Sequence, residues 1–273
     1  MNNGSIGIFD SGFGGLTVLS EVAKLFTKEN IIYFGDVARS PYGPKSKETI
    51  IKYALEISKF LFNQGVKIIV IACNTASSCA LEVLQEEYSI PIIGVIQPGA
   101  EEAVRITKNY KIGVIGTEGT INNNVYNRII KSLNKEMQVV SQPCPLFVSL
   151  VEEGWVDTEV THLIAKEYLS SLKENQVDTL ILGCTHYPLL KDVIQKVMGK
   201  DVFLIDSATT VANKVKSILE EQNILSSKES SGNIRFYVSD EPSRFVRIGE
   251  RFLDKEIRVI TQIDISGMLE KGR

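Results

Sequence analysis

"KIIVIACNTAS", residues 67 to 77, carries a run of β-branched apolar residues into a cysteine and then turns polar. A short unbroken apolar run of this kind is the pattern of a strand buried on both faces of a parallel sheet. "TLILGCTHYP", residues 179 to 188, repeats the transition with a second cysteine. Two such transitions in one chain point to a common origin.

Working outward from them, "SIGIFDSG" (5 to 12) aligns with "KIGVIGTEG" (111 to 119), and "IPIIGVIQPG" (90 to 99) with "VFLIDSATT" (202 to 210). The offset stays between 106 residues, Ser5 against Lys111, and 111 residues, Cys73 against Cys184, as expected of two related domains of ordinary size. Strands are expected at Ser5 to Phe9, Asn30 to Gly35, Lys67 to Ala72 and Pro91 to Ile96, then at Lys111 to Ile115, Gln138 to Ser141, Asp178 to Gly183 and Val202 to Ile205. Asn233 to Ser239 and Glu256 to Thr261 add two more. Stretches of helical length separate them, so the fold class is α/β, two similar βα domains with parallel central sheets. Cys73 and Cys184 then fall at equivalent carboxyl ends of strands, where open α/β sheets bind ligands, and a cleft between the halves has one thiol on each wall.

Composition narrows the partners. The chain has 273 residues, 44% hydrophobic and 23% charged, with 30 basic and 33 acidic side chains and no long Lys/Arg block. It reads as an ordinary globular protein that does not bind nucleic acid. No apolar stretch approaches the ~20 residues of a membrane span, and the opening "MNNGSIGIFD" lacks a secretory signal, so no membrane association and a cytoplasmic location are expected. Four cysteines at irregular spacing make no disulfide framework. Cys79 and Cys144 have no counterpart in the other half and read as structural.

Two facing thiols suit inversion at a carbon centre: one group removes a proton from one face while the other delivers a proton to the opposite face. A thiol with a reference pKa of ~8.5 lets thiol and thiolate coexist near neutrality. Each cysteine precedes an expected helix, capped by Asn74 or Thr75 in the first half and beginning at Thr185 in the second, whose amides favour a thiolate. Asp10 and His186 are the titratable neighbours. His162, on an amphipathic stretch, reads as a surface filler. Ser11, Asn74, Thr75, Thr117, Thr120 and Thr185 offer groups suited to an amino acid's carboxylate and amine. The loop "ARSPYGPKS" (38 to 46) is stiffened by Pro41 and Pro44, with Gly43 allowing close approach. "DSGFGG" (10 to 15) misses the dinucleotide spacing because Thr17 stands where the last glycine belongs. No zinc pattern appears. "SRFVRIGERF" (243 to 252) puts Arg244, Arg247 and Arg251 on one helical face, read as solvated, and Phe245, Ile248 and Phe252 on a core face.

With "GIFDSGFGGLTV", "DVARSPYG", "ACNTAS", "GVIQPGA", "GTEGT", "EEGW", "GCTHYP" and "IDSA" distributed over residues 7 to 208, the chain resembles the cofactor-independent glutamate racemases within the aspartate and glutamate racemase group. The resemblance implies a homodimer with no cofactor and no metal, acting on glutamate to supply D-glutamate for the cell wall. It implies that Cys73 and Cys184 transfer protons, the first acting on the D-isomer and the second on the L-isomer. Asp10 supports Cys73, and His186 with Glu152 supports Cys184. Ser11, Tyr42, Gly43, Asn74, Thr75, Thr117, Thr120, Thr185 and His186 match substrate-holding positions. It further implies pseudo-twofold symmetry and a chain that returns to its first domain, giving residues 1 to 97 with 208 to 273 as one domain and 98 to 207 as the other. Members activated by a cell-wall precursor tend to carry an N-terminal extension, and with the first strand at the start of this chain no activator requirement is expected. Aspartate racemase, a two-domain amino-acid sensor and a single-thiol hydrolase or decarboxylase are the alternatives.

Overall fold

The computed structural model describes residues 4–227, 229–253 and 256–267. The first half alternates β1 (Ser5–Asp10), α1 (Leu16–Leu25), β2 (Ile31–Gly35), α2 (Lys47–Asn63), β3 (Val66–Ile71), α3 (Asn74–Glu87), β4 (Ile92–Gly94) and α4 (Ile96–Ile106). The second runs β5 (Lys111–Gly116), α5 (Glu118–Asn122), α6 (Val125–Leu133), β6 (Gln138–Pro143), α7 (Leu146–Glu152), α8 (Glu159–Glu174), β7 (Thr179–Gly183), α9 (Lys191–Met198), β8 (Phe203–Asp206) and α10 (Ser207–Glu221). β9 (Ile234–Val238), α11 (Pro242–Leu253) and β10 (Ile260–Gln262) follow.

All strand pairings are parallel. One sheet has the order β10-β9-β2-β1-β3-β4 and the other β6-β5-β7-β8. Stripped of β9 and β10, the first sheet reads 2-1-3-4, and the second repeats that order one half later, so the repeat seen in the sequence is a repeat of topology. In each half the chain leaves its first strand toward one edge and later crosses to the other. That reversal opens a crevice at the carboxyl ends of β1 and β3, and of β5 and β7.

Burial explains the strand composition. β1, β2 and β7 are buried at every residue. Along β1, Ile6 and Ile8 join a core that continues through α1, α10 and α4 into the second sheet, while Phe9 joins a separate core beneath α2 and α3. Alternate residues thus serve opposite faces, and both faces are covered. Among the described residues no helix is long and apolar enough to cross a membrane.

Two strands depart from expectation. β4 stops at Gly94 because Val95 is already in right-handed helical conformation as the cap of α4, so Ile96 is helical rather than extended. β10 starts at Ile260 rather than Glu256. Ile257 is drawn beneath α11 instead, its N–H donating to Glu250 Oε1 at 3.1 Å.

The return of the chain to the first sheet is held by a buried ion pair. Lys67 Nζ lies 2.7 Å from Glu29 Oε2 and donates to the Ile224 carbonyl at 2.6 Å, while Glu29 Oε1 accepts from the Ser226 amide at 2.6 Å. Both side chains are nearly inaccessible, at 9% and 3%. Glu29→Ala leaves Lys67 buried and unpaired, and urea unfolding is expected to show a loss of about 3–5 kcal/mol, with Glu29→Gln losing less.

Candidate active site

β3 and β7 deliver the two cysteines. Cys73 lies just beyond β3 in extended conformation and is itself the cap of α3, its Sγ accepting from the Ala76 amide at 3.4 Å. The cap expected at Asn74 or Thr75 therefore falls on the thiol. Cys184 directly follows β7 but is not followed by an α-helix: its carbonyl accepts from Tyr187 N at 3.1 Å, opening a 3-10 turn at Tyr187–Leu190. The helix-amide assistance expected on both sides exists only on the Cys73 side.

Both cysteines line one cavity of about 30 Å³ between the halves, room for about one water molecule. From the first half Ser11, Tyr42, Gly43, Asn74 and Thr75 face it, and from the second Thr117, Thr185 and His186. Three residues named from the sequence stand one contact behind the wall. Thr120 closes a ring of hydroxyls with Thr75 and Thr117, spanning 2.9, 3.1 and 3.2 Å. Asp10 is fully buried, accepting from Gly12 N at 2.9 Å and from Thr185 Oγ1 of the opposite half at 3.4 Å. Glu152 sits behind His186, with Oε1 3.2 Å from Nε2.

The "DSGFGG" glycines serve close approach. A Cβ on Gly14 would lie 2.2 Å from Thr185 Oγ1 and 2.6 Å from His186 Nδ1; one on Gly15 would lie 2.5 Å from Asp10 Cβ. Neither distance is attainable, so glycine at 14 is what lets the two switch-point loops meet. Gly43 extends the seam, its carbonyl accepting from Gly119 N at 3.1 Å. Tyr42 is anchored by its O–H on Asp36, which also accepts from Arg39 Nε at 2.7 Å.

The two thiols have unlike surroundings. Burial pushes the Cys73 thiol up to about 12, with the Asp10 charge adding to it, against the Ala76 amide and the Ser11 hydroxyl. In this closed arrangement burial favours the protonated form of Cys73 over the even balance expected of a solvent-exposed thiol. Burial likewise raises Asp10, opposed by the charge of His186 and by hydrogen bonds from Gly15, Gly12 and Thr185. For His186 burial alone would favour the neutral ring, but hydrogen bonds and charge from Cys184, with Sγ 3.9 Å from Nδ1, and from Glu152 outweigh it and raise the imidazole to about 10.

Part of the surroundings carries no mark in the sequence. Ser40, Pro41, Val148 and Gly183 also line the cavity. The arginine face of α11 is not merely solvated: Arg244 Nη2 lies 3.4 Å from Glu152 Oε2, and Arg251 Nη1 donates to the Glu152 carbonyl at 3.4 Å. Phe252 stands edge-on to the His186 ring at 5.6 Å between centroids. The regular arginine spacing was visible, but its target lies on the other half. His162 pairs with Asp157 at 2.8 Å, away from the cavity. Cys79 accepts from Asn123 Nδ2 at 3.0 Å, and Cys144 donates to the Gln142 carbonyl at 3.6 Å. Among the described residues no group of three or more His, Cys, Asp or Glu side chains could hold a metal ion.

The family model described as Asp/Glu/Hydantoin racemase matches residues 6–215. A glutamate racemase of Geobacter metallireducens is 52% identical over 266 residues, covering 97% of this chain and 98% of the relative. Among solved structures, a glutamate racemase isoform of Bacillus anthracis superposes with a TM-score of 0.93 at 42% identity, covering 97% of this chain and 98% of that one. The glutamate racemase of Francisella tularensis, solved in complex with D-glutamate, also gives 0.93 at 42% identity, covering 98% and 100%.

A raised imidazole makes stability depend on pH. His186 contributes stability that is fully present below the unfolded value near 6.5 and is lost as pH rises through about 10. Cys73 acts in the same direction at higher pH, so the comparison needs a variant. The urea midpoint of the wild type is expected to fall between pH 7 and 10 more steeply than that of His186→Asn; parallel curves would mean that the ring carries no extra proton.

Proposed function

The chain belongs to the Asp/Glu/hydantoin racemase family, and from that premise we propose that it is a glutamate racemase, interconverting L- and D-glutamate with its own two thiols as acid and base. The observation that carries the reading is that Cys73 and Cys184, from equivalent strand ends of the two halves, line a single cavity. The names of the relatives, glutamate racemases at 52% and 46% identity, favour glutamate over aspartate.

An amino acid held between the thiols exposes its α-hydrogen to one sulfur and the opposite face of the α-carbon to the other. One thiolate takes the α-proton, the carbon becomes planar, and the opposite thiol delivers its proton from the far side, leaving the mirror image and the two sulfurs with exchanged protonation. Cys73 acts on the D-isomer and Cys184 on the L-isomer. His186, backed by Glu152, places a cation beside Cys184 whenever that sulfur is negative, while Asp10 attends Cys73. Ser11, Tyr42, Gly43, Asn74, Thr75, Thr117 and Thr185 hold the substrate through hydroxyl, amide and backbone groups, with Thr120 supporting Thr75 and Thr117 from behind, and among the described residues no arginine or lysine lines the cavity. A cavity of about 30 Å³ does not admit glutamate, so the halves part for entry and release. In this reading residues 1–97 with 208–273 form one domain and 98–207 the other. The breaks fall at the starts of α4 and α10. The product serves peptidoglycan synthesis in the cytoplasm, and the working form is a homodimer.

Incubation with L-glutamate in deuterated water, without added cofactor, is expected to drive optical rotation to zero while the α-proton signal disappears. Turnover of aspartate alone would move the substrate and leave the chemistry in place. Cys73→Ser and Cys184→Ser are each expected to lower racemisation by about 10²–10⁴-fold. Loss in only one variant would favour a single-thiol enzyme, and glutamate binding without turnover in the wild type would favour a sensor.

A further inference from the structure

Asn74 opens α3 beside Cys73 and lines the cavity while only 2% exposed. Its carboxamide has one acceptor and one donor end, of nearly the same shape. The acceptor is used: Oδ1 receives the Tyr126 phenol O–H at 2.7 Å. The donor, Nδ2, is buried and has no partner among the described residues. A buried amide N–H left in this state calls for a partner, and the cavity that Asn74 lines is where one can enter.

Tyr126 comes from the other half of the molecule. It is the second residue of α6 and is 3% exposed. Its ring lies against Gly183, where a Cβ would approach Cε2 to 3.2 Å, so the glycine immediately before Cys184 makes room for it. Its oxygen also lies 3.5 Å from Ser207 Oγ at the start of α10. One phenol therefore touches the strand end that carries Cys184 and fixes the residue that follows Cys73. Without its O–H, nothing among these contacts sets which end of the carboxamide faces the cavity. A half-turn about the side chain's Cβ–Cγ bond would then present Oδ1, an acceptor, to an anion.

We propose that Tyr126 is a positioning residue for racemisation, holding the Asn74 carboxamide so that its N–H faces a carboxylate oxygen of the bound amino acid. This rests on the racemase reading of the site.

Tyr126→Phe keeps the ring against Gly183 and removes only the hydroxyl. The expected result is a KM for both enantiomers raised by about 10- to 100-fold, the scale of a hydrogen bond to a charged group, with a smaller change in kcat. In an Asn74→Ala background the same substitution is expected to add nothing, because residues acting through one contact are non-additive; Asn74→Ser replaces that background if the alanine variant does not fold. Ser207→Ala, which removes the other neighbour of the phenol, is expected to leave KM at its wild-type value. An unchanged KM in Tyr126→Phe, an equal further loss without the Asn74 amide, or a Ser207→Ala variant that reproduces the effect would each overturn the assignment. These outcomes are read against a wild type that exchanges the α-proton of glutamate. A wild type that fails to do so removes the racemase reading itself, and the role of Tyr126 with it.

Discussion

The molecule depends on two loops from different sheets coming closer than side chains ordinarily allow. At Gly14 even a methyl group would overlap Thr185 and His186, and at Gly15 it would overlap Asp10. Because those positions are bare, Thr185 reaches the Asp10 carboxylate, Thr17 reaches the Thr185 carbonyl at 3.3 Å, and the His186 ring lies close enough to Asp10 for their charges to interact. The Thr75, Thr117 and Thr120 hydroxyls and the Gly43 to Gly119 bond continue the same seam. Each is weak alone, but together they leave the thiols in a compartment nearly closed to water, where hydrogen bonds and charges act at reduced screening.

That compartment treats the sulfurs differently although the topology is duplicated. Cys73 lies within reach of the Asp10 charge and caps the first turn of α3, and its burial holds the proton on. Cys184 sits beside an imidazole that burial alone would discharge. Cys184 on one side and Glu152 on the other hold the proton on His186 against that burial, and Glu152 is in turn reached by Arg244 and Arg251 from α11. Helix α11 belongs to the segment added after the duplicated part, next to the first sheet. The appended segment thus makes the surroundings of the imidazole beside Cys184 unlike anything in the first half. It packs through the apolar face formed by Phe245, Ile248 and Phe252.

How much of this was legible follows from what is local. Parallel strands, their approximate limits and the repeat are written in runs such as Val66–Ile71 and Thr179–Gly183, because strands covered on both faces need apolar residues throughout. The strand-end positions of Cys73 and Cys184 followed from the same runs. Groups whose partner lies far along the chain were not legible. Nothing near Tyr126 distinguishes it from a core residue of an amphipathic helix, and the arginines of α11 carry no mark of their target. The cap of α3 was misplaced because cysteine is a poor cap by propensity, and only the turn geometry puts its sulfur over the Ala76 amide. The shift of the Cys73 thiol was equally out of reach, since it is a property of the closed wall. β10 began late because Ile257 found burial beneath α11, a tertiary preference that outweighs strand propensity.

The unequal surroundings of the two sulfurs meet a limit that no protein structure can alter. L- and D-glutamate are mirror images and have the same free energy in water, so their interconversion has an equilibrium constant of unity. For a racemase the ratio kcat/KM must then be the same in both directions, whatever stands beside each thiol. The asymmetry built from Asp10 on one side and His186 with Glu152 on the other can appear only in how that common ratio divides. A direction with faster turnover must carry a proportionally higher KM, and in the two-thiol mechanism proposed above the environment of each thiol bears on saturation by one enantiomer without favouring its accumulation.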